Sequence, residues 1–206
     1  SVAAMRRQWG AGPEHRVFGV VGGFMLPRGK GQREFLAAAA RIRESVPQAR
    51  FVILGRGTME SLLKDDIRRL GLSGVASVPG HCSDMPVAMN ALDCMVHPQI
   101  GTEAMPGVVV EAHACGCPVI ATALDGIPEA FHMGGLGKLV PSEDVPSLAQ
   151  AMAEVASSKP LTLSSRMEVH ERVASRMSLT RYVDETLALY RELLGPSADS
   201  RSEGRG

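Results

Sequence analysis

The sequence predicts an α/β fold, a doubly wound parallel sheet with an all-helical C-terminal tail, and three observations lead there. Five short apolar runs, at 17–22, 51–54, 75–78, 94–96 and 119–121, have the length and β-branched content of buried strands. Between several of them apolar residues recur at helical spacing. From Glu143 onward the strand-like runs stop and helical patterns continue alone. Buried strands that alternate with helices imply parallel neighbours, because parallel pairs need crossover connections and the crossover helices cover both faces of the sheet.

Each element follows in order. Residues 1–15 hold Gly10, Gly12 and Pro13 without periodicity and are predicted to be a loose connector. After the first strand, Phe35, Ala39, Ile42 and Val46 form one helical stripe; after the second, Met59, Leu62, Leu63, Ile67 and Leu70 form another. Asp65 and Asp66 fall on that helix and are expected to be solvated. Gly107–Ala114 has the spacing of a short helix, with Gly116 placed to end it and Pro118 to open the next strand. Helices are predicted at 145–156, around 164–177, and at 180–194, the last carrying Tyr182, Leu187, Leu189 and Leu193. The polar, turn-forming stretch 195–206 is predicted to be a disordered tail, leaving 16–194 as one domain.

Composition removes several function classes. The 206 residues carry 22 Lys+Arg against 22 Asp+Glu, so no whole-molecule attraction toward nucleic acid or anionic lipid is expected. Cys82, Cys94, Cys115 and Cys117 fit no zinc-finger spacing and are read as reduced, structural thiols of a cytoplasmic protein. No apolar run approaches the roughly 18–20 residues of a membrane span, and the opening SVAAMRRQWG lacks the apolar stretch of a secretory signal. The first residue is Ser, and the sequence is expected to be a piece of a longer chain.

Ligands of such sheets bind in loops beyond the carboxyl ends of the strands, and three loops stand out. The first, from Gly22 and Gly23 through Arg28 to Lys30 and Gly31, has two readings: a phosphate cradle, or an exposed glycine turn with solvated cations. It fails the Walker pattern, because five residues separate Gly23 from Gly29 and Gly31 follows Lys30 in place of Ser or Thr. The second, Gly55-Arg56-Gly57-Thr58-Met59-Glu60, opens like a dinucleotide fingerprint but puts Glu60 where the third glycine belongs, so NAD binding is not supported; Thr58 is expected to cap the next helix.

The third loop carries Glu103 and, with seven residues between, Glu111 inside the following helix. Glu103 can accept hydrogen bonds from ligand hydroxyls, and the amides of Gly107 and Val108 at the helix start are free to meet an anion. Glu111 suits a diol, since a carboxylate accepts two hydroxyl bonds at once. A sugar joined to a diphosphate satisfies all three; acidic residues favoured by the helix dipole are the plainer reading. His113 reads either as cleft-facing or as a packed helical histidine. His81 and His97 follow strand ends, within reach of a base or sugar, whereas His15, His132 and His170 have no convergent partners. There is no Gly-x-Ser-x-Gly elbow and no Asp-x-Asp, against serine hydrolase chemistry and metal-chelated sugar transfer.

The stretch 103–129, EAMPGVVVEAHACGCPVIATALDGIPE, resembles the donor-site signature of retaining group 1 glycosyltransferases, whose fold is the two-domain GT-B arrangement. Lys30-Gly31-Gln32, the glycines at 55 and 57, and Ala91-Leu92-Asp93 before Val96-His97-Pro98 also resemble that family, over roughly 17–194. The resemblance implies a Rossmann-like C-terminal donor domain. It further implies Lys30 and Glu103 as the catalytic pair, Lys30 on the phosphate and Glu103 on the donor sugar hydroxyls. Glu111 would hold the ribose, and Gly22, Gly23, Arg28, Gly107 and Val108 the rest of the donor. Two departures stand out. The family's Arg, five or six positions before the Lys, is replaced by Met25 or Phe24, with Arg28 as the candidate substitute, and Pro106 takes the place of a glycine.

By this resemblance the chain is the donor-binding half of a retaining, metal-independent hexosyltransferase that uses a nucleotide-diphosphate sugar and no cofactor. Its partners would be that donor and a missing N-terminal acceptor domain, through which any peripheral membrane contact is expected to come. Alone it is expected to bind donor without turnover. Two alternatives remain open: a non-catalytic nucleotide-sugar-binding or scaffold domain, motivated by Phe24 and Met25, and a GT-B nucleotide-sugar epimerase.

Overall fold

The computed structural model describes residues 1–27 and 29–195, and each of the five apolar runs is a strand in it. In chain order the elements are α1 (Val2–Gln8), β1 (Arg16–Val21), α2 (Gln32–Ile42), β2 (Ala49–Leu54), α3 (Glu60–Arg69), β3 (Ala76–Gly80), α4 (Met85–Ala91) and β4 (Cys94–His97). They continue with α5 (Gly107–Ala114), β5 (Val119–Thr122), α6 (Ile127–Gly134), β6 (Gly137–Val140), α7 (Val145–Ser157), α8 (Leu163–Arg176) and α9 (Leu179–Leu194). The strands form one sheet in the order β3-β2-β1-β4-β5-β6, and every pair is parallel. The order reverses between β1 and β4, which opens a crevice at their carboxyl ends.

Side chains alternate between two cores, as the two-residue period of a strand requires. Phe18, Val20, Phe51, Ile53, Val96 and Ile120 pack on one face with α2, α3 and α7. Val17, Val52, Leu54, Met95, Val119 and Ala121 pack on the other with α4, α5 and α6. The helices start where the sequence caps them. Asp84 accepts the Val87 amide at 3.1 Å, Asp144 the Ser147 amide at 3.0 Å and Thr162 the Ser165 amide at 3.1 Å.

Four expectations are corrected. The first nine residues are not loose: Ser1 caps α1, Trp9 and Ala11 are buried, and Arg6 donates to the Ala91 carbonyl at 3.0 Å and the Asp93 carboxylate at 2.9 Å. Seven residues are too few for a periodic signal, so tertiary contacts define this helix. Asp66 is buried, not solvated, and is clamped by Arg33 and Arg69, each at 2.7 Å. Burial opposes its ionisation, but those two hydrogen bonds outweigh burial and hold its carboxyl below the usual range. Thr58 does not cap α3; its hydroxyl accepts the Leu26 amide at 3.0 Å. Three elements, α4, α6 and β6, are not announced by the apolar runs, since the first two open on Met-Pro and Ile-Pro and β6 is a four-residue edge strand with Lys138 exposed.

The tail is helical as expected, although α9 buries none of its residues. Gly195 ends α9 in a left-handed conformation; the rest of the predicted disordered tail, 196–206, lies outside the described residues, as does Arg28. All four cysteines are free thiols. Burial pushes the Cys117 thiol up to about 12, and Cys94 rises for the same reason. No helix among the described residues is long and apolar enough to cross a membrane.

Candidate functional site

Lys30 and Glu103, 73 positions apart, meet at the carboxyl ends of β1 and β4, where Lys30 Nζ lies 2.6 Å from Glu103 Oε2. Their side chains are 40% and 20% exposed, so the pair is half-buried and open to a ligand. Backbone packing accounts for the meeting. Gly31 has φ +80°, and a β-carbon there would stand 1.7 Å from the Pro98 carbonyl oxygen. Only glycine lets the loop after β1 lie against the loop after β4.

Gln32, fully buried at the start of α2, holds the cation's loop in shape. Its Oε1 accepts the Lys30 amide at 2.7 Å and its Nε2 donates to the Gly23 carbonyl at 3.2 Å. The sequence quotes Gln32 only within Lys30-Gly31-Gln32, and that adjacency is the one signal that could have found it. The Glu103 loop is pinned in turn by two bonds across the sheet end. The Glu103 amide donates to Asp125 Oδ2 at 3.3 Å, and the Gly126 amide to the Glu103 carbonyl at 3.2 Å.

The second glycine loop buttresses the first. A β-carbon on Gly55 would lie 2.0 Å from the Gly22 carbonyl oxygen, and one on Gly57 2.1 Å from the Phe24 carbonyl oxygen. The Phe24 amide donates to the Arg56 carbonyl at 3.2 Å, and the Met59 amide to the Phe24 carbonyl at 3.1 Å. Phe24 is fully buried while Met25 is 57% exposed, so neither of these positions offers a cation. The Lys30 stem crosses Gly22, since a β-carbon there would be 3.4 Å from Lys30 Cδ.

Pro106 is the N-cap of α5, so its missing amide falls before the helix and the amides of Gly107 and Val108 follow it. No side chain caps this end, which leaves first-turn N–H groups for an anion. Glu111 is exposed, and its Oε1 lies 3.7 Å from where a Gly107 β-carbon would be, so its carboxylate stands beside the helix tip. Lys30 and Glu103 are joined directly; Gly22 and Gly23 are tied to Lys30; Gly107, Val108 and Glu111 share the tip of α5.

His97, the last residue of β4, is 1% exposed and its Nε2 has no hydrogen-bond partner among the described residues. Burial is the main cause that lowers its pKa to about 4; Lys30 lowers it further and Glu103 opposes. A neutral imidazole therefore sits under the ion pair at neutral pH. His113 is the packed helical histidine of the two readings: its Nε2 lies 2.9 Å from the Leu136 carbonyl, its ring meets Phe131 edge-on, and it fills the space above Gly134.

The family profile described as "Glycosyl transferases group 1" matches residues 15–158. The D-inositol 3-phosphate glycosyltransferase of Mycolicibacterium smegmatis is 32% identical over 183 residues, which cover 82% of this chain and 40% of that protein. The structure of Anabaena HepE in complex with UDP and glucose superposes with a TM-score of 0.76 at 25% identity, over 91% of this chain and 52% of that one. The C-terminal domain of a Francisella tularensis glycosyl transferase group 1 family protein gives a TM-score of 0.69 at 21% identity, over 85% of this chain and 92% of that one. The chain spans about two fifths of the length of curated relatives it matches. That profile covers more than half of the sequence, and the chain belongs to the group 1 glycosyltransferases.

Proposed function

We propose that this chain is the C-terminal, donor-binding domain of a retaining glycosyltransferase that takes a sugar from a nucleotide-diphosphate donor to an acceptor hydroxyl. The observation that carries this reading is the Lys30–Glu103 pair at the sheet's switch point, where the loop that holds Glu103 leads into the uncapped tip of α5. In the donor complex Lys30 leaves Glu103 for the diphosphate, whose charge grows as the glycosyl bond breaks, and the Gly107 and Val108 amides share that charge. Glu103 is then free to accept sugar hydroxyls, and Glu111 accepts the ribose diol. Attack by the acceptor on the face that the diphosphate leaves gives retention. Lys30 and the α5 amides are the counter-charges of this reading, and no metal step is invoked.

HepE supports the donor class, since its structure contains UDP and glucose. The length match to a C-terminal domain of the same family supports the domain assignment. The acceptor site then belongs to an N-terminal domain outside this sequence, so the chain alone binds donor and does not turn over, and any peripheral membrane contact is made through that domain. Titration calorimetry with UDP-, GDP- and ADP-sugars tests the reading. One donor should bind, and Glu111→Ala should weaken it by roughly tenfold or more; no binding by any of the three, or binding that ignores Glu111→Ala, overturns it. The non-catalytic alternative is favoured by Phe24, whose burial leaves no cation at that position. Sugar transfer by the longer polypeptide would exclude it.

A further inference from the structure

The carboxyl end of the sheet presents few cations to an anionic ligand among the described residues. Among the described residues, the loops after the six strands carry the acids Asp84, Glu103, Asp125, Glu143 and Asp144, but as cations only Lys30 and Arg56. Lys30 is engaged by Glu103. Arg56 is exposed, and its side chain makes no ion pair with any described residue. A nucleoside diphosphate brings about two further negative charges to this rim, more than Lys30 and a helix tip worth about half a charge offset, and Arg56 is the further cation that the described loops hold.

The backbone puts Arg56 where the deficit is. Gly22 lies between the Lys30 stem and Gly55: its own β-carbon would be 3.4 Å from Lys30 Cδ, and that of Gly55 would be 2.0 Å from the Gly22 carbonyl oxygen. Arg56 follows Gly55 directly, and its carbonyl accepts the Phe24 amide at 3.2 Å. An arginine side chain extends about 6 Å from its Cα with ordinary bond lengths, a long reach for a residue whose backbone lies against the Gly22–Phe24 loop. The glycines on either side let its loop press against the backbone of Gly22 and Phe24.

We propose that Arg56 is the second cation of this site and holds the donor's diphosphate together with Lys30. The proposal rests on the nucleotide-sugar reading above. A planar guanidinium is suited to the task, since it can donate two parallel N–H bonds to phosphate oxygens. Arg56 then replaces, from the loop after β2, a charge that the loop after β1 lacks at positions 24 and 25.

Calorimetric titration of the chain with UDP, GDP and ADP first identifies the nucleotide that binds; that diphosphate, its monophosphate and its nucleoside are then compared in Arg56→Ala, Arg56→Lys and Arg28→Ala. Arg56→Ala should lower diphosphate affinity about 10- to 100-fold, lower monophosphate affinity less, leave nucleoside binding unchanged and flatten the dependence of affinity on salt. Arg56→Lys should recover part of the loss. Equal diphosphate affinity in Arg56→Ala and wild type, or a loss that appears only in Arg28→Ala, overturns the proposal while the nucleotide-sugar reading stands. Failure of the wild-type chain to bind any diphosphate overturns both. The exposed position of Arg56 keeps the variants folded, which thermal melts verify.

Discussion

Gly31, Gln32 and His97 have no reaction chemistry of their own in this site, yet the first two hold the Lys30 loop in place and the third lies buried near the ion pair. A methyl group at Gly31 meets the Pro98 carbonyl and strains a left-handed backbone, so Gly31→Ala should cost roughly 1–3 kcal/mol and part the ion pair. A lowered melting temperature together with weakened donor binding is the expected result; unchanged binding would mean that the loop contact does not position Lys30. His97 gives a pH signature. Its folded pKa of about 4 lies below the ordinary 6.5, so the unfolded chain binds the extra proton first as pH falls. Stability is therefore full above about pH 6.5 and is lost on acidification toward pH 4, by about 3 kcal/mol for this group. In urea melts across that range, wild type should lose stability relative to His97→Phe as pH drops; parallel curves would show that His97 does not titrate there. Lys30 and Glu103 were legible because each lies in a motif that names its own chemistry. Gln32 and His97 were not, since their roles depend on groups brought near by the fold: Gly23 for one, the Lys30–Glu103 pair for the other.

Among elements, α1 shows most clearly how tertiary contacts define what periodicity cannot. Its hold on the domain passes through Asp93, which accepts from Arg6 at 2.9 Å and from the Val17 amide at 2.8 Å, with Arg16 at 3.5 Å. Removing that carboxylate takes one acceptor from Arg6, the ion-pair partner of Arg16 and the side-chain acceptor of the Val17 amide. Asp93→Ala should cost about 3 kcal/mol, the low end for a half-buried pair, and should speed proteolysis within the first nine residues. Asp93→Asn, which keeps an acceptor, should cost less; equal stability of both variants with wild type would show that Trp9 and the carbonyl partners of Arg6 hold α1 without Asp93. The buried strands and α5 were readable because β-branched runs and a helix bracketed by Gly107 and Gly116 have local causes. β6 was not, because its partner β5 and the packing of α7 make a strand of Gly137–Val140.

At the scale of the whole molecule, the parallel strand order explains why residues from four separate loops share one rim, and the sequence showed that order only as alternation of strand and helix. The helical tail carries an apolar face that the described residues leave uncovered. α9 sets Leu179, Tyr182, Val183, Leu187, Tyr190 and Leu193 along one face at helical spacing, and none of its residues is buried. A solvent-exposed helix of 16 residues with so apolar a face is marginal without a surface to cover it. In the proposed two-domain protein that surface is the N-terminal domain. Hydrogen exchange should therefore find α9 amides exchanging orders of magnitude faster than those of α5 in this chain, and slowed toward α5 in the longer polypeptide. Leu187→Asp should abolish that slowing without changing the melting temperature of the isolated chain, where Leu187 has no partner to lose. If α9 is protected equally with and without the rest of the polypeptide, the helix is covered by contacts within this chain or between its copies, and the assignment of its apolar face to the missing domain fails.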